Sequence, residues 1–286
     1  MNTTPSNAGA SATCAVVSRA VVEARLSAIG GLREKPSPAG AAPLPHRFLR
    51  HCDEQTVLGM RAVLEAIAGH PEPRPAFDRF GVVAAPCQSG RIAAAQTLSQ
   101  LKTGGAAVVS PHIVPQGSLH AMASAVSVAL GMHGPNIGTS GGPQAFSEGL
   151  FTALSLVHAP TAAGAERCAG IWLIATAWDE EPRLDATGKP ETDPLCRAVA
   201  IAITRAADAG AATTLTLEPV ATTTGVGCGV PDAAGAIAAF GRALKLCGEG
   251  GVLESWSHVC PWGAEIRMAA QPLGSGSACA LRREAA

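Results

Sequence analysis

The chain has 286 residues and a formal net charge of −1; 15 % of residues are charged, 47 % are apolar, and there are four Trp, six Phe and no Tyr. Such a length can bury a substantial core as one large domain or two small ones. Near-neutral charge, no basic stripe and few rings on which bases could stack exclude a nucleic-acid-binding class.

Residues 1–12 are rich in Ser, Thr, Asn and Ala and are expected to be disordered. Residues 14–22 read as a first strand, interrupted by Arg19. Residues 34–45 carry four prolines and read as a surface loop. Over 53–68 the apolar residues Val57, Met60, Val63, Leu64 and Ile67 have helical spacing, with Asp53 as N-cap. Residues 80–85 are a short apolar strand, closed by a turn at Pro86. Helices are expected over 90–101, 118–130 and 143–157, the last opening on Pro143. Short extended pieces are expected at 106–110 and 136–140.

The run 169–177 is apolar without alternation, as a strand buried on both faces would be. Residues 196–206 and 215–220 read as extended or mixed. A helix is expected over 232–246, after Pro231, and strands over 251–256, 264–269 and 277–281. Strands alternating with helices indicate an α/β fold with a sheet between helical layers. Abundant Ala and 32 Gly, with few charges, fit such a core and a large subunit interface.

Nine cysteines, Cys14, Cys52, Cys87, Cys168, Cys196, Cys228, Cys247, Cys260 and Cys279, show no C-x-x-C pair. Neither a zinc site nor a disulfide framework is expected. Most read as small buried hydrophobes in a reducing compartment. No charge-free run of 18 apolar residues occurs and the first residues lack a secretory pattern, so the expected location is cytoplasmic.

Several phrases, in order along the chain, carry a resemblance. They are FLRHCDEQTVLGMRAVLEAI (48–67), RFGVVAA (79–85), the stretch 110–140 with its LGMHGP turn at 130–135, CAGIWLIATAWDE (168–180), the apolar pair of segments at 196–220, and PLGSGSACALRR (272–283). Together they resemble the β-ketoacyl synthases of the thiolase-like superfamily. The resemblance implies a layered αβαβα fold made of two similar halves. Here it would be a single domain, 13–286, with the first half at 13–220 and a second half abbreviated to 221–286. It also implies that 110–140 crosses a dimer interface through His112, Gln116, Ala121, Ala125, Val128 and His133.

Ketosynthases hold a cysteine at the N-terminus of a buried helix, where the helix end stabilises the thiolate. Two histidines support the chemistry. The matching stretch here, GPNIGTSGGPQAFSEGL, puts Gly142, Pro143 or Gln144 at that position, and none is a nucleophile. Ser140 and Ser147 flank the spot, with no base beside them in the sequence. The HGTGT motif is absent; His258 in ESWSHVCPWG is its nearest counterpart. The resemblance places Gln144, Phe146 and His258 at the pocket and implies a chain-length-factor-like subunit. Such a subunit needs no cofactor or metal, and its partner is an active ketosynthase, with an acyl carrier protein as a further partner. A homodimer that binds acyl chains is the alternative assembly.

Another reading is an acyltransferase with a relocated nucleophile. Cys87 in AAPCQSGR follows a strand and precedes a helix, and Cys228 lies in the Gly-rich GVGCGVPD. A buried structural thiol and a tight turn are the simpler readings of these two. His112, His120 and His133 cluster without an acidic or Cys ligand and read as interface or core residues rather than a metal site. Asp179, Glu180 and Glu181 read as a solvated loop.

Overall fold

The computed structural model describes residues 13–72, 74–111, 113–139, 141–160, 168–208, 215–221, 232–248, 256–262 and 264–270. The expectations for 1–12, 277–281, His112, Ser140 and Cys228 lie outside them. β1 (Cys14–Arg25) runs on past residue 22 into α1 (Leu26–Leu32), a short helix with two glycines that sequence periodicity does not reveal. α2 (Glu54–Ala68) starts as expected, Asp53 accepting the Thr56 N–H at 2.6 Å. Nearly all of α2 is buried, so it is a central helix rather than a surface one.

β2 (Phe80–Pro86) leads through a tight turn to α3 (Arg91–Gly104). At Ala106–Val108, where an extended piece was expected, the chain forms a 3₁₀ turn. The preceding Gly105 has φ +72°, which folds the chain back too sharply for a strand. The short α4 (Ile113–Gly117) precedes α5 (Ala121–Leu130), and Gly131 ends α5 in the left-handed region. β3 (Asn136–Gly138), α6 (Ala145–His158), β4 (Gly170–Trp178) and β5 (Leu195–Arg205) follow. β6 (Leu215–Ala221), α7 (Ala233–Gly248), β7 (Trp256–Val259) and β8 (Ala264–Ala270) come after them. β7 is shifted C-terminally from the expected 251–256, of which only Trp256 is among the described residues.

The strand order is β3-β2-β4-β5-β1-β6-β8-β7. β3, β2 and β4 are parallel, whereas β5 runs antiparallel to both β4 and β1. The strands β6, β8 and β7 form an antiparallel extension, joined to β1 through Cys14, Ala15 and Val16. Side chains alternate along β4. Trp172 and Ile174 pack with α2 and α5, and Ile171, Leu173 and Ala175 face the core that holds Phe146 of α6 and Phe240 of α7.

That second core is closed on its far side by Cys260, Ile266 and Met268 of the three-stranded extension. The layers therefore run helix, sheet, helix, sheet among the described residues. The outer face of the extension carries exposed Ser257, Val259, Arg267 and Ala269, and Arg267 pairs with Glu265 at 3.0 Å. In α6, a Cβ at Gly149 would stand 2.4 Å from the Ala85 Cβ, so glycine lets α6 lie close against β2.

Candidate functional site

The candidate site is the N-terminus of α6, reached from the C-terminal end of β3. Thr139 anchors the approach, its N–H donating to the Ala84 carbonyl at 2.8 Å. Gly141 follows with φ +102°, a conformation that favours glycine, and its carbonyl accepts the Gln88 N–H at 2.9 Å. The Ala145 N–H then donates to the Gly142 carbonyl at 3.0 Å. This turn delays the helix, so Gln144 is its N-cap and Ala145 its first residue. Pro143 consequently stands before the cap instead of opening the first turn. Gln144 makes no side-chain cap bond, and its Oε1 is sealed from solvent with no hydrogen-bond partner among the described residues.

Three residues on, Ser147 Oγ is hydrogen-bonded to His258 Nε2 at 2.8 Å, with the two residues 2 % and 4 % exposed. This corrects the sequence expectation that no base stands near Ser147: β7 brings His258 across from 111 residues away. The imidazole lies edge-on to Phe146 at 5.2 Å and stacks parallel to Trp256 at 5.9 Å. Phe240 completes the cluster, 5.3 Å from Phe146 and 4.8 Å from Trp256. Burial lowers the His258 pKa, because an imidazolium would lose its hydration here. The pair thus ties β7 to α6 as a neutral hydrogen bond inside an apolar core. Phe146 and His258, expected at a pocket, are core residues that support the helix end from behind.

Cys87 directly follows β2. Its N–H donates to the Thr176 carbonyl at 2.8 Å and its carbonyl accepts from Gln55 Nε2 at 2.7 Å. Burial, with a smaller contribution from Asp232, raises its thiol pKa. That direction is opposite to the one an activated nucleophile requires. Asp179 and Glu180 are exposed, as a solvated loop would be. His120 and His133 are exposed as well, and no group of three or more metal-ligating side chains gathers among the described residues. No helix is long and apolar enough to cross a membrane among the described residues.

The expected interface residues lie on or beside the excursion between β2 and β3. Ala121 and Ala125 are half-buried on α5, Val128 is 73 % exposed, and His133 is exposed beyond the helix. Gln116 falls on α4. Leu98, Leu101, Val108 and Leu119 add exposed apolar side chains to the same excursion. Among the described residues β3 is an edge strand, and Asn136 Oδ1 at its start is buried with no hydrogen-bond partner.

No protein-family model matches the sequence, and no curated protein is significantly similar to it. Solved structures do match. One is a ketosynthase in complex with its chain length factor from Xenorhabdus doucetiae, with TM-score 0.50 and 13 % identity over 89 % of this chain and 99 % of that one. Others are the ishigamide ketosynthase/chain length factor, with TM-score 0.46 and 16 % identity over 74 % and 68 % of the two chains, and a β-ketoacyl synthase from Burkholderia phymatum STM815, with TM-score 0.44 and 14 % identity over 73 % and 64 %. The layered architecture and the match over nearly the whole length of the first of these show that this chain has the thiolase-like fold of the ketosynthases.

Proposed function

We propose that the chain is a non-catalytic, chain-length-factor-like subunit. It pairs with an active β-ketoacyl synthase in the cytoplasm and shapes that enzyme's acyl tunnel, in a polyketide, fatty-acid-like or aryl-polyene pathway. The observation that carries this reading is Gln144 at the N-cap of α6, in the Gly142–Gln144 stretch where the resemblance implies a cysteine. The helix end still carries the partial positive charge of an α-helix N-terminus. Without a thiolate it binds but forms no acyl-enzyme. The neighbour from Xenorhabdus doucetiae contains a ketosynthase and its chain length factor, which supports the pairing. The exposed apolar side chains between Leu98 and Val128 supply a surface of the kind that subunit interfaces cover. An acyl carrier protein would deliver substrate to the complex.

The test is intact-mass spectrometry after incubation with acyl or malonyl thioesters. The expected result is no covalent mass increase on the wild-type chain, and at most slow acylation after Gln144→Cys, because no second histidine supports the thiol. A stoichiometric acyl adduct on any wild-type residue, Ser147 and Cys87 included, would overturn the non-catalytic reading.

A further inference from the structure

The proline-rich strap between α1 and α2 curves around a cleft of about 600 Å³, walled by the strap itself and by Arg61 of α2. That volume lies within the range of small-molecule sites, about 300–1,000 Å³. The cleft is preformed, because side chains hold the strap at both ends and in the middle. Arg61 is 4 % exposed and donates to the carbonyls of Leu32, Lys35 and Pro36. Arg33 donates to the Leu49 carbonyl at 2.9 Å and to that of Cys52. Leu49, 1 % exposed, seats the far end in the core. Between them Arg74 donates to the Gly40 carbonyl, and the Leu44 N–H donates to Ser37 Oγ at 3.3 Å.

The charges on the wall are unbalanced. Arg33, Lys35, Arg47 and Arg61 line the cleft with His46, against one carboxylate, Glu34. Arg33 is matched by Glu54 at 3.1 Å. Arg61 spends its N–H groups on carbonyl dipoles, and Glu65 acts on it only through space. Lys35, His46 and Arg47 are exposed, and their side chains make no hydrogen bond or ion pair among the described residues. Arg47 is also held at φ +58°, a strained backbone conformation for a residue other than glycine and of a kind that gathers at ligand sites. A wall of this sign repels metal cations and raises the local concentration of anions.

The geometry points to a binding site for a diphosphate group in this cleft, with Arg47 and Lys35 as its charged ligands. The planar guanidinium of Arg47 can donate two parallel N–H bonds to one phosphate, and the Lys35 ammonium supplies a point charge to the other. A single phosphate would leave one of these cations unmatched and most of the cleft unfilled. Leu44 and Phe48, both half-buried on the same wall, offer apolar surface to the organic part of a diphosphate ester. The free anion and the ester share the chemistry that the two cations recognise. Nothing in this inference depends on the partner-subunit reading.

The test is calorimetric titration of the full chain with sodium pyrophosphate, ADP, adenosine and sodium sulfate at matched ionic strength. Pyrophosphate and ADP should bind saturably with a Kd of about 1 mM or below, a value within reach of ligands of so few atoms. Adenosine and sulfate should bind at least about tenfold more weakly. Either order of the two diphosphates supports the site: tighter binding of ADP assigns it to an ester, equal binding to the free anion. The double variant Lys35→Gln/Arg47→Gln should weaken both at least about tenfold, and should stay folded because both side chains are exposed. Lys102→Gln, at an exposed lysine of α3 outside the cleft, should leave binding unchanged. Absence of saturable wild-type binding, equal affinity for sulfate, or the same loss in Lys102→Gln as in the double variant would overturn the assignment. The wild-type titrations decide the matter even if the double variant fails to fold.

Discussion

Replacing Val128 with glutamate should split the complex with a ketosynthase while leaving the chain folded. Val128 is 73 % exposed on α5, so a carboxylate there costs little in the free subunit. In the complex that carboxylate would be desolvated at the subunit interface, without a partner charge. An unpaired buried charge costs several kcal/mol, enough to dissociate most assemblies of ordinary affinity. Ala125, half-buried against the α2–α5 core, is the poorer probe, because glutamate there would disturb the fold as well. The measurement is gel filtration together with circular dichroism. An unchanged elution volume in a folded Val128→Glu chain would remove α5 from the interface.

Phe146→Ala should destabilise the chain by about 3–5 kcal/mol, the range for deleting a fully buried phenyl ring. The ring touches Phe240, Trp256 and His258, so its removal leaves a void between α6, α7 and the second sheet. Urea denaturation measures the loss. A change below about 1 kcal/mol would mean that Phe146 lines an open pocket, as its sequence position implied, and not a filled core. The same void would loosen the Ser147–His258 hydrogen bond and with it the fixed position of the α6 N-terminus.

Long, strongly patterned elements are legible in the sequence. α2 and α7 follow from apolar spacing over four turns, Asp53 from its place ahead of that pattern, and β4 from an apolar run with no alternation. α1 and α4 are not legible, since 7 and 5 residues are too few to show a period. The 3₁₀ turn at Ala106–Val108 depends on the φ of Gly105, which the apolar character of its residues does not reveal. The proposed loss of the nucleophile rests on residue types alone, because no packing turns proline or glutamine into a thiol. The pairing of Ser147 with His258 cannot. Their contact is made by layer stacking, after α6 and β7 have each folded for reasons of their own. Asp53 as a cap follows from helix chemistry, whereas the buried bonds of Gln55 to Cys87 and Thr176 do not, because both partners are distant in sequence.

The central claim is that this chain completes a ketosynthase. Native mass spectrometry after co-expression with a cysteine-bearing ketosynthase from the same organism tests it most directly. The account predicts a stable 1:1 heterodimer in which acyl groups load on the partner alone. A monomer or a lone homodimer of this chain, with the ketosynthase running free, would contradict it.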